Sequence, residues 1–559
     1  MHSVSSSRES RLAVLIGLWV MLGGTAVAAP PLHEQIDRQI AAKAGGPVAE
    51  PATDAEFLRR LYLDLAGTIP TAEEARAFLA DTAPDKRARL IDRLLASDDY
   101  ARRMEQAFTV MLLERRVGTT ITETDWQDYL RTSFAANKPW NQIVREIVAA
   151  DGSDPAIRPG MKFFVDGGRN DHHQMTQDVA RLFLGMDIQC AQCHDHPSVE
   201  DYKQSDYFGL YAYVKQSKLH TNPQTKLVYF AEEPATGKVD FQSVFKSEEK
   251  SATGPKLPGG EERDIPKFDK GQELAQPAKD GLPAIPRFRP RQELAVDLTS
   301  ADNERFRRNA VNRFWFLMMG RGLVMPLDLD HSDNPPSHPE LLKLLADDFA
   351  ANGFDVKRLL REIALSQVYQ RSSLVPEGVT PQDALPESYR AAIFKPLSAE
   401  QMLWSGLKAT GELPTVLSAA APENSKFTYN DYINGRITEP PSNLRDMHAL
   451  FVGVFGNPPG EPEEEFAPSM GQSLFLMNER LVLRWLEPRD GNLVNRLNQL
   501  SDANAVADEL YLSVFSRFPT EEERMEVAAY LDQHQQRRTT AIGELAWALL
   551  ASAEFRLNH

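Results

Sequence analysis

Cysteine is nearly absent from this chain of 559 residues: there are two, Cys190 and Cys193. At most one disulfide can form, so the fold must rest on buried apolar cores instead of covalent ties. After residue 28 nothing approaches the roughly 18 continuous apolar residues of a membrane span. Gly-rich phosphate loops, a Gly-x-Ser-x-Gly elbow and a His-Glu-x-x-His pair are all missing, which removes support for those enzyme classes. Positive charge is in deficit. The formal net charge is −17 with a pI near 5.3, so the surface repels nucleic acid and anionic lipid.

What remains is ordinary globular material, 42% hydrophobic and 25% charged, long enough for two or three domains. At the start, Arg8 and Arg11 precede the apolar run Leu12–Leu22, and Ala26-Val27-Ala28 is a small-residue cleavage site. We read 1–28 as a signal peptide, with a soluble, periplasmic or secreted product and no membrane span after cleavage. Losing Arg8, Glu9 and Arg11 takes the formal charge from −17 to −18.

The stretch Cys190-Ala-Gln-Cys-His-Asp-His-Pro197 organises the reading. C-x-x-C-H is the attachment pattern of a c-type haem: two thiols bond the porphyrin and the adjacent imidazole ligates iron. Cys190, Cys193 and His194 are the candidate haem residues. Segment 176–194 reads as one amphipathic helix, which puts both sulfurs and the imidazole on a single face, with Pro197 ending it near His196. His172 and His173, upstream, are the candidate sixth ligands, and Met186 is too near Cys190 to serve. Other readings stay open. Without haem, the cysteines with His194, His196 and His172 or His173 form a mixed sulfur–nitrogen set for zinc or copper, with Asp195 behind a ligating imidazole. A redox disulfide, or two plain thiols, also fit.

Helical patterns dominate 29–215 and 291–559, so the expected fold is mainly α. Two helical domains are joined by a connector, 216–290, that is rich in Pro and Gly and contains a β-hairpin. Gly67 ends the run Phe57–Leu65, Thr71 and Glu74 form a capping box, and Ser97 caps the helix after Asp85–Leu95. Trp126, Tyr129, Leu130, Phe134 and Trp140 read as core. In the connector, 227–231 and 238–242 are the expected hairpin strands, followed by a Lys-, Glu-, Pro- and Gly-dense stretch, 247–290. Helices resume at Asn303–Met319. A second capping box at Ser337 and Glu340 opens Leu341–Ala351, Val356–Leu365 follows, and Ser398 caps the next helix. Residues 456–468 make an acidic loop. Counting from Asp328, a calcium loop fails: position five is Ser332, position twelve Pro339, and no Gly stands at position six. That segment reads as a turn feeding a helix cap, or as a surface facing the cysteine motif.

An internal echo recurs. Leu61–Glu74 resembles Leu510–Glu523, and each is followed about one helix later by a related phrase, Leu-Leu-Ala-Ser-Asp-Asp-Tyr100 and Leu-Leu-Ala-Ser-Ala-Glu-Phe555. A third version is Ile363-Ala-Leu-Ser-Gln-Val-Tyr369. We read a reused helix–turn–helix unit with a Ser cap and a docking aromatic.

Leu63-Asp-Leu-Ala-Gly-Thr-Ile-Pro-Thr71, the cysteine motif and Asp206–Ala212 resemble the planctomycete secreted cytochrome-like domain of unknown function. Asn312-Arg-Phe-Trp315, Gly320-Arg-Gly-Leu323, Asn334–Leu342 and Leu345–Phe349 resemble the second uncharacterised planctomycete domain that usually follows it. Together these cover nearly all of the chain beyond residue 28. The resemblance implies no settled activity, and its cytochrome-like label rests on the same C-x-x-C-H. Ser198 and Asp201 stand where the family tends to have an aromatic and a tryptophan, which weakens an apolar flank for a haem. The leading expectation is an exported c-type-haem-like protein in electron transfer or redox chemistry, with a redox partner protein. The rival is a secreted scaffold or interaction protein whose Cys/His cluster is metal-binding or structural; an extracellular hydrolase is a third reading, without a nucleophile.

Overall fold

A computed structural model describes residues 30–166, 171–245, 248, 250–380, 382, 384–419, 426–464 and 469–559. The signal-peptide reading of 1–28 lies outside the described residues, as do the last four residues of the acidic loop. The fold is mainly α, with four two-stranded antiparallel sheets among the described residues. None of the described helices is long and apolar enough to cross a membrane.

Two apolar cores divide the chain. One gathers residues from Leu32 to Tyr389, the other residues from Leu397 to Phe555. They exchange members: Leu63 and Ile69 pack in the second core, Leu512 in the first. All five aromatic and leucine positions from Trp126 to Trp140 are buried, as their spacing predicts.

The exchange is organised by the helix Asp54–Ala66, in which every residue from Phe57 on is buried. Thr53 caps it by accepting the Glu56 amide, and Gly67 ends it at φ 68°. A Cβ there would lie 2.9 Å from Cδ of Arg103, so Gly67 is required both for its conformation and for that approach. Two adjacent buried arginines then point to different parts of the chain. Arg59 donates to the carbonyls of Val514, Glu554 and Phe555 at 3.0, 3.3 and 2.9 Å. Arg60 donates to those of Tyr369 and Arg371 at 2.6 and 2.8 Å, and to Glu56. One turn on, Asp64 accepts from the Tyr369 hydroxyl, Lys395 and Asn558.

These are the three echoing segments, and their local geometry repeats. Ser97, Ser366 and Ser552 each accept, through Oγ, the amide of the aromatic three residues on, at 3.2, 3.3 and 3.3 Å. Tyr100, Tyr369 and Phe555 are all buried. Thr71–Glu74 and Thr520–Glu523 both form complete capping boxes.

Three local expectations are corrected. The helix containing residue 176 is His172–Leu184 and does not reach the cysteines. Gly185 turns left-handed at φ 68° and terminates it, because a Cβ there would crowd Asn309 at 3.2 Å and the chain must turn to pair Met186 with Leu329. The strands 227–231 and 238–242 do not pair with each other. Val228–Glu232 pairs with Ser217–Thr221, closed by the Asn222 side chain accepting two amides, and Val239–Gln242 pairs with Lys250–Thr253. Pro234 in the intervening segment has no amide to donate. Ser337 and Glu340 make no capping box: the helix begins at Pro339 with His338 at its N-cap, and the Ser337 amide goes instead to the Leu323 carbonyl.

Replacing Arg59 by Leu should cost about 3 kcal/mol or more, since it strands up to three buried carbonyls. Arg76→Ala, at an exposed pair with Glu509, should cost under about 1 kcal/mol. Urea unfolding of the two variants checks the contrast.

Candidate functional site

With the helix ended at Gly185, Cys190 falls in a short 3₁₀ turn, Gln189–Gln192, and Cys193 caps its end. The turn is pinned on both sides. Asp187 donates its amide to the Asp328 carbonyl, and Asp330 returns one to Gly185. Ser332 donates to Asp201, and the Tyr202 ring meets His331 edge-on at 5.3 Å. The segment 328–334 is thus both a turn before a helix and a surface packed against the cysteine loop, the two readings its sequence allows.

Cys190 and Cys193 are free and exposed. The histidines around them differ by what their ring nitrogens meet. Nδ1 of His194 lies 2.6 Å from the Asp195 carbonyl, which can only accept. Nδ1 therefore carries the proton, and the neutral ring presents a lone pair at Nε2, the arrangement a ligating imidazole needs. His196 is the reverse. Its Nδ1 accepts the amides of Ser198 and Val199 at 3.2 and 2.9 Å, so Nε2 holds the proton and the ring has no lone pair left to ligate. In this arrangement His196 serves the exit turn.

His172 and His173 sit in the first turn of their helix, not upstream of it. Nε2 of His172 meets the Ser217 carbonyl at 2.6 Å. Nδ1 of His173 meets the Tyr207 hydroxyl at 2.8 Å, and its ring stacks on Tyr211 at 4.7 Å. Burial chiefly pushes the Tyr207 hydroxyl up, with the Gln177 side chain opposing. No group of three or more His, Cys, Asp or Glu among the described residues is arranged to hold a metal ion. The Asp195 carboxylate accepts the Gln204 amide through Oδ1.

A haem finds some of what it needs here. Two unbonded sulfurs and a lone-pair-bearing imidazole lie within five residues, and the apolar side chains Val244 and Phe245 stand 63% and 76% exposed beside them. Val244 bonds the Cys193 carbonyl, and Phe245 lies 4.8 Å from the His194 ring. For such a group these side chains would form the apolar flank that Ser198 and Asp201 do not.

A second arrangement was not anticipated from sequence. Between the cores lies a cavity of about 350 Å³ reaching from Asp64 to Glu464, next to another of about 540 Å³. Glu114 and Arg115, at φ 48° and 55°, are consecutive left-handed residues between them, a conformation that costs on the order of 1 kcal/mol each. The bend sets the Arg115 guanidinium between Glu400 and Glu463. Burial pushes the Glu400 carboxyl up, but Arg115 and His448 outweigh it and hold it well below its ordinary value. Glu105, in the second cavity, goes the other way. Burial, with Glu400 adding to it, lifts it from 4.5 to about 7 against Arg131, Thr109 and His448. Only the acidic loop hinted at this chamber in the sequence, through Glu463 and Glu464; its other walls come from residues hundreds of positions apart.

The class is therefore a mainly helical, two-core protein carrying an exposed C-x-x-C-H loop and a charged chamber between its lobes. Residues 34–219 match the family model PSCyt2, a protein of unknown function (DUF1549), and residues 290–531 match PSD1, a protein of unknown function (DUF1553). The chain is a PSCyt2 domain followed by a PSD1 domain, the order its motifs suggest. Neither a curated protein nor a solved structure matches it.

Glu105 holds its proton more tightly folded than unfolded. Its contribution to stability is thus full at acid pH and is lost as pH rises from 4.5 through about 7. Glu105→Gln should remove that loss, gaining stability relative to the parent between pH about 5 and about 8 in urea melts.

Proposed function

We propose that the chain is an exported c-type-haem-like protein of extracytoplasmic redox chemistry or electron transfer, joined to its haem by Cys190 and Cys193, with His194 as proximal ligand. The observation that carries this reading is the pairing of two exposed free sulfurs with an imidazole whose Nδ1 is already committed to the Asp195 carbonyl. The haem would supply one-electron chemistry. The chain's own part is to fix the His194 tautomer, to offer Val244 and Phe245 as an apolar flank, and to hold the loop against segment 328–334. For a sixth ligand, His172 and His173 are the candidates. Nδ1 of His173 faces a hydroxyl, which either donates or accepts, so its tautomer is not committed. His172 has Nε2 tied to the Ser217 carbonyl, which leaves its lone pair at Nδ1.

One observation favours the rival, a secreted scaffold with a structural cluster. Gln204 donates to the carbonyls of Gln192 and Gln242, so the loop also clasps the helix Gln204–Val214 to the strand Val239–Gln242. The test is to export the full chain in cells carrying haem-maturation machinery. Haem that survives denaturation on a gel, with a Soret band absent from the Cys190→Ala/Cys193→Ala variant, is the expected result. Exported protein without haem, in which both thiols alkylate freely, would overturn it and leave the scaffold.

A further inference from the structure

The helix Leu444–Phe455 turns one face to the 540 Å³ cavity: His448, Val452 and Gly456, spaced four apart, all line it. His448 is oriented there by a buried pair. The Glu400 side chain is 4% exposed and meets Arg115 through both oxygens, at 2.8 and 3.3 Å. Its Oε1 also lies 3.2 Å from Nε2 of His448. Because Arg115 and His448 together keep Glu400 ionised against its burial, that oxygen can only accept. Nε2 of His448 therefore carries a proton, and the neutral ring has its lone pair at Nδ1. The His448 side chain is 39% exposed, and nothing among the described residues bonds its Nδ1. Arg115 reaches Glu400 from the left-handed bend at residues 114 and 115, a strain of the kind kept at ligand clamps.

The rest of the wall describes the occupant. The cations that line the cavity, Arg115, Arg116 and Lys162, are each already paired, with Glu400, Glu114 and Asp166. Burial pushes Glu105 toward its neutral form, and Glu123 is exposed, so solvent meets its charge. An ionic group entering here would lose its water without a free countercharge to replace it. Leu113, Val117, Val452 and Pro458 give apolar surface. The bare Cα of Gly453 lets the Tyr429 ring lie against the helix, since a Cβ would fall 2.2 Å from it, and that ring also lines the cavity. An aromatic wall favours a ring, and a fixed lone pair favours a hydroxyl donor. We infer that this cavity binds an uncharged, largely apolar small molecule of the phenol class, whose hydroxyl donates to Nδ1 of His448. Glu400 and Arg115 are its positioning residues. The volume falls within the roughly 300–1,000 Å³ of small-molecule sites. The site is independent of the haem reading.

Calorimetry on the purified exported chain tests it, with 4-propylphenol as probe. The comparisons are 4-propylanisole, whose oxygen cannot donate, and 4-propylbenzoate, which is charged. The phenol should bind with Kd below about 1 mM, and about fivefold or more tightly than either comparison. His448→Leu keeps a side chain of similar bulk without the acceptor. It should weaken the phenol about fivefold and leave the ether unchanged. Val452→Trp fills the cavity and should abolish binding of both. If His448→Leu fails to fold, the contrast between phenol and ether on the parent chain decides. No binding of the phenol, equal binding of the ether, tighter binding of the benzoate, or unchanged phenol binding in either variant would overturn the inference and leave the cavity to water.

Discussion

Two adjacent arginines buried on one helix constrain the whole molecule. Arg59 is fully enclosed and makes no ion pair among the described residues; burial pulls its pKa down to about 10, with Glu554 opposing. Such a group is tolerable only where carbonyls are fixed to receive its protons. The carbonyls come from the C-terminal segment for Arg59 and from the middle segment for Arg60. Asp64 adds Tyr369 and Asn558 on the same helix. Satisfying these groups brings three separated stretches of chain together, and the exchange of Leu63, Ile69 and Leu512 between cores follows from that meeting.

The echo among these stretches was readable in the sequence because it is a local device: a Ser hydroxyl, an amide three residues on and an aromatic side chain. Helix starts at Thr71, Ser97, Asn303 and Ser398 were readable for the same reason. What was not readable depends on distant partners. Gly185 reads as one weak residue inside a helical pattern, and becomes a terminator only because Asn309 and Leu329 approach it. The strands of the connector choose partners through turns such as the one Asn222 closes, not by their own alternation. His194 and His196 look equivalent in C-x-x-C-H-D-H, and only the atoms facing their Nδ1 positions separate them. The chamber between the lobes leaves almost no trace, since Asp64, Arg103, Arg313, Lys395 and Glu464 belong to unrelated local patterns.

The cysteine loop and the chamber are physically continuous. Asp328 receives the Asp187 amide through its carbonyl while its carboxylate meets Arg181, which lines the cavity. The same segment continues through His331 and Ser332 to the far side of the loop. A change in the charge held in the chamber therefore meets the cysteine loop through one carboxylate and two backbone bonds.

Native-state hydrogen exchange tests the central claim, that the helix Asp54–Ala66 makes the two cores one cooperative unit. The account predicts that amides of Phe57 to Leu65 open only with global unfolding, at the same free energy as the slowest amides of both cores. Faster exchange in that helix, with residues 397–555 opening on their own, would contradict it.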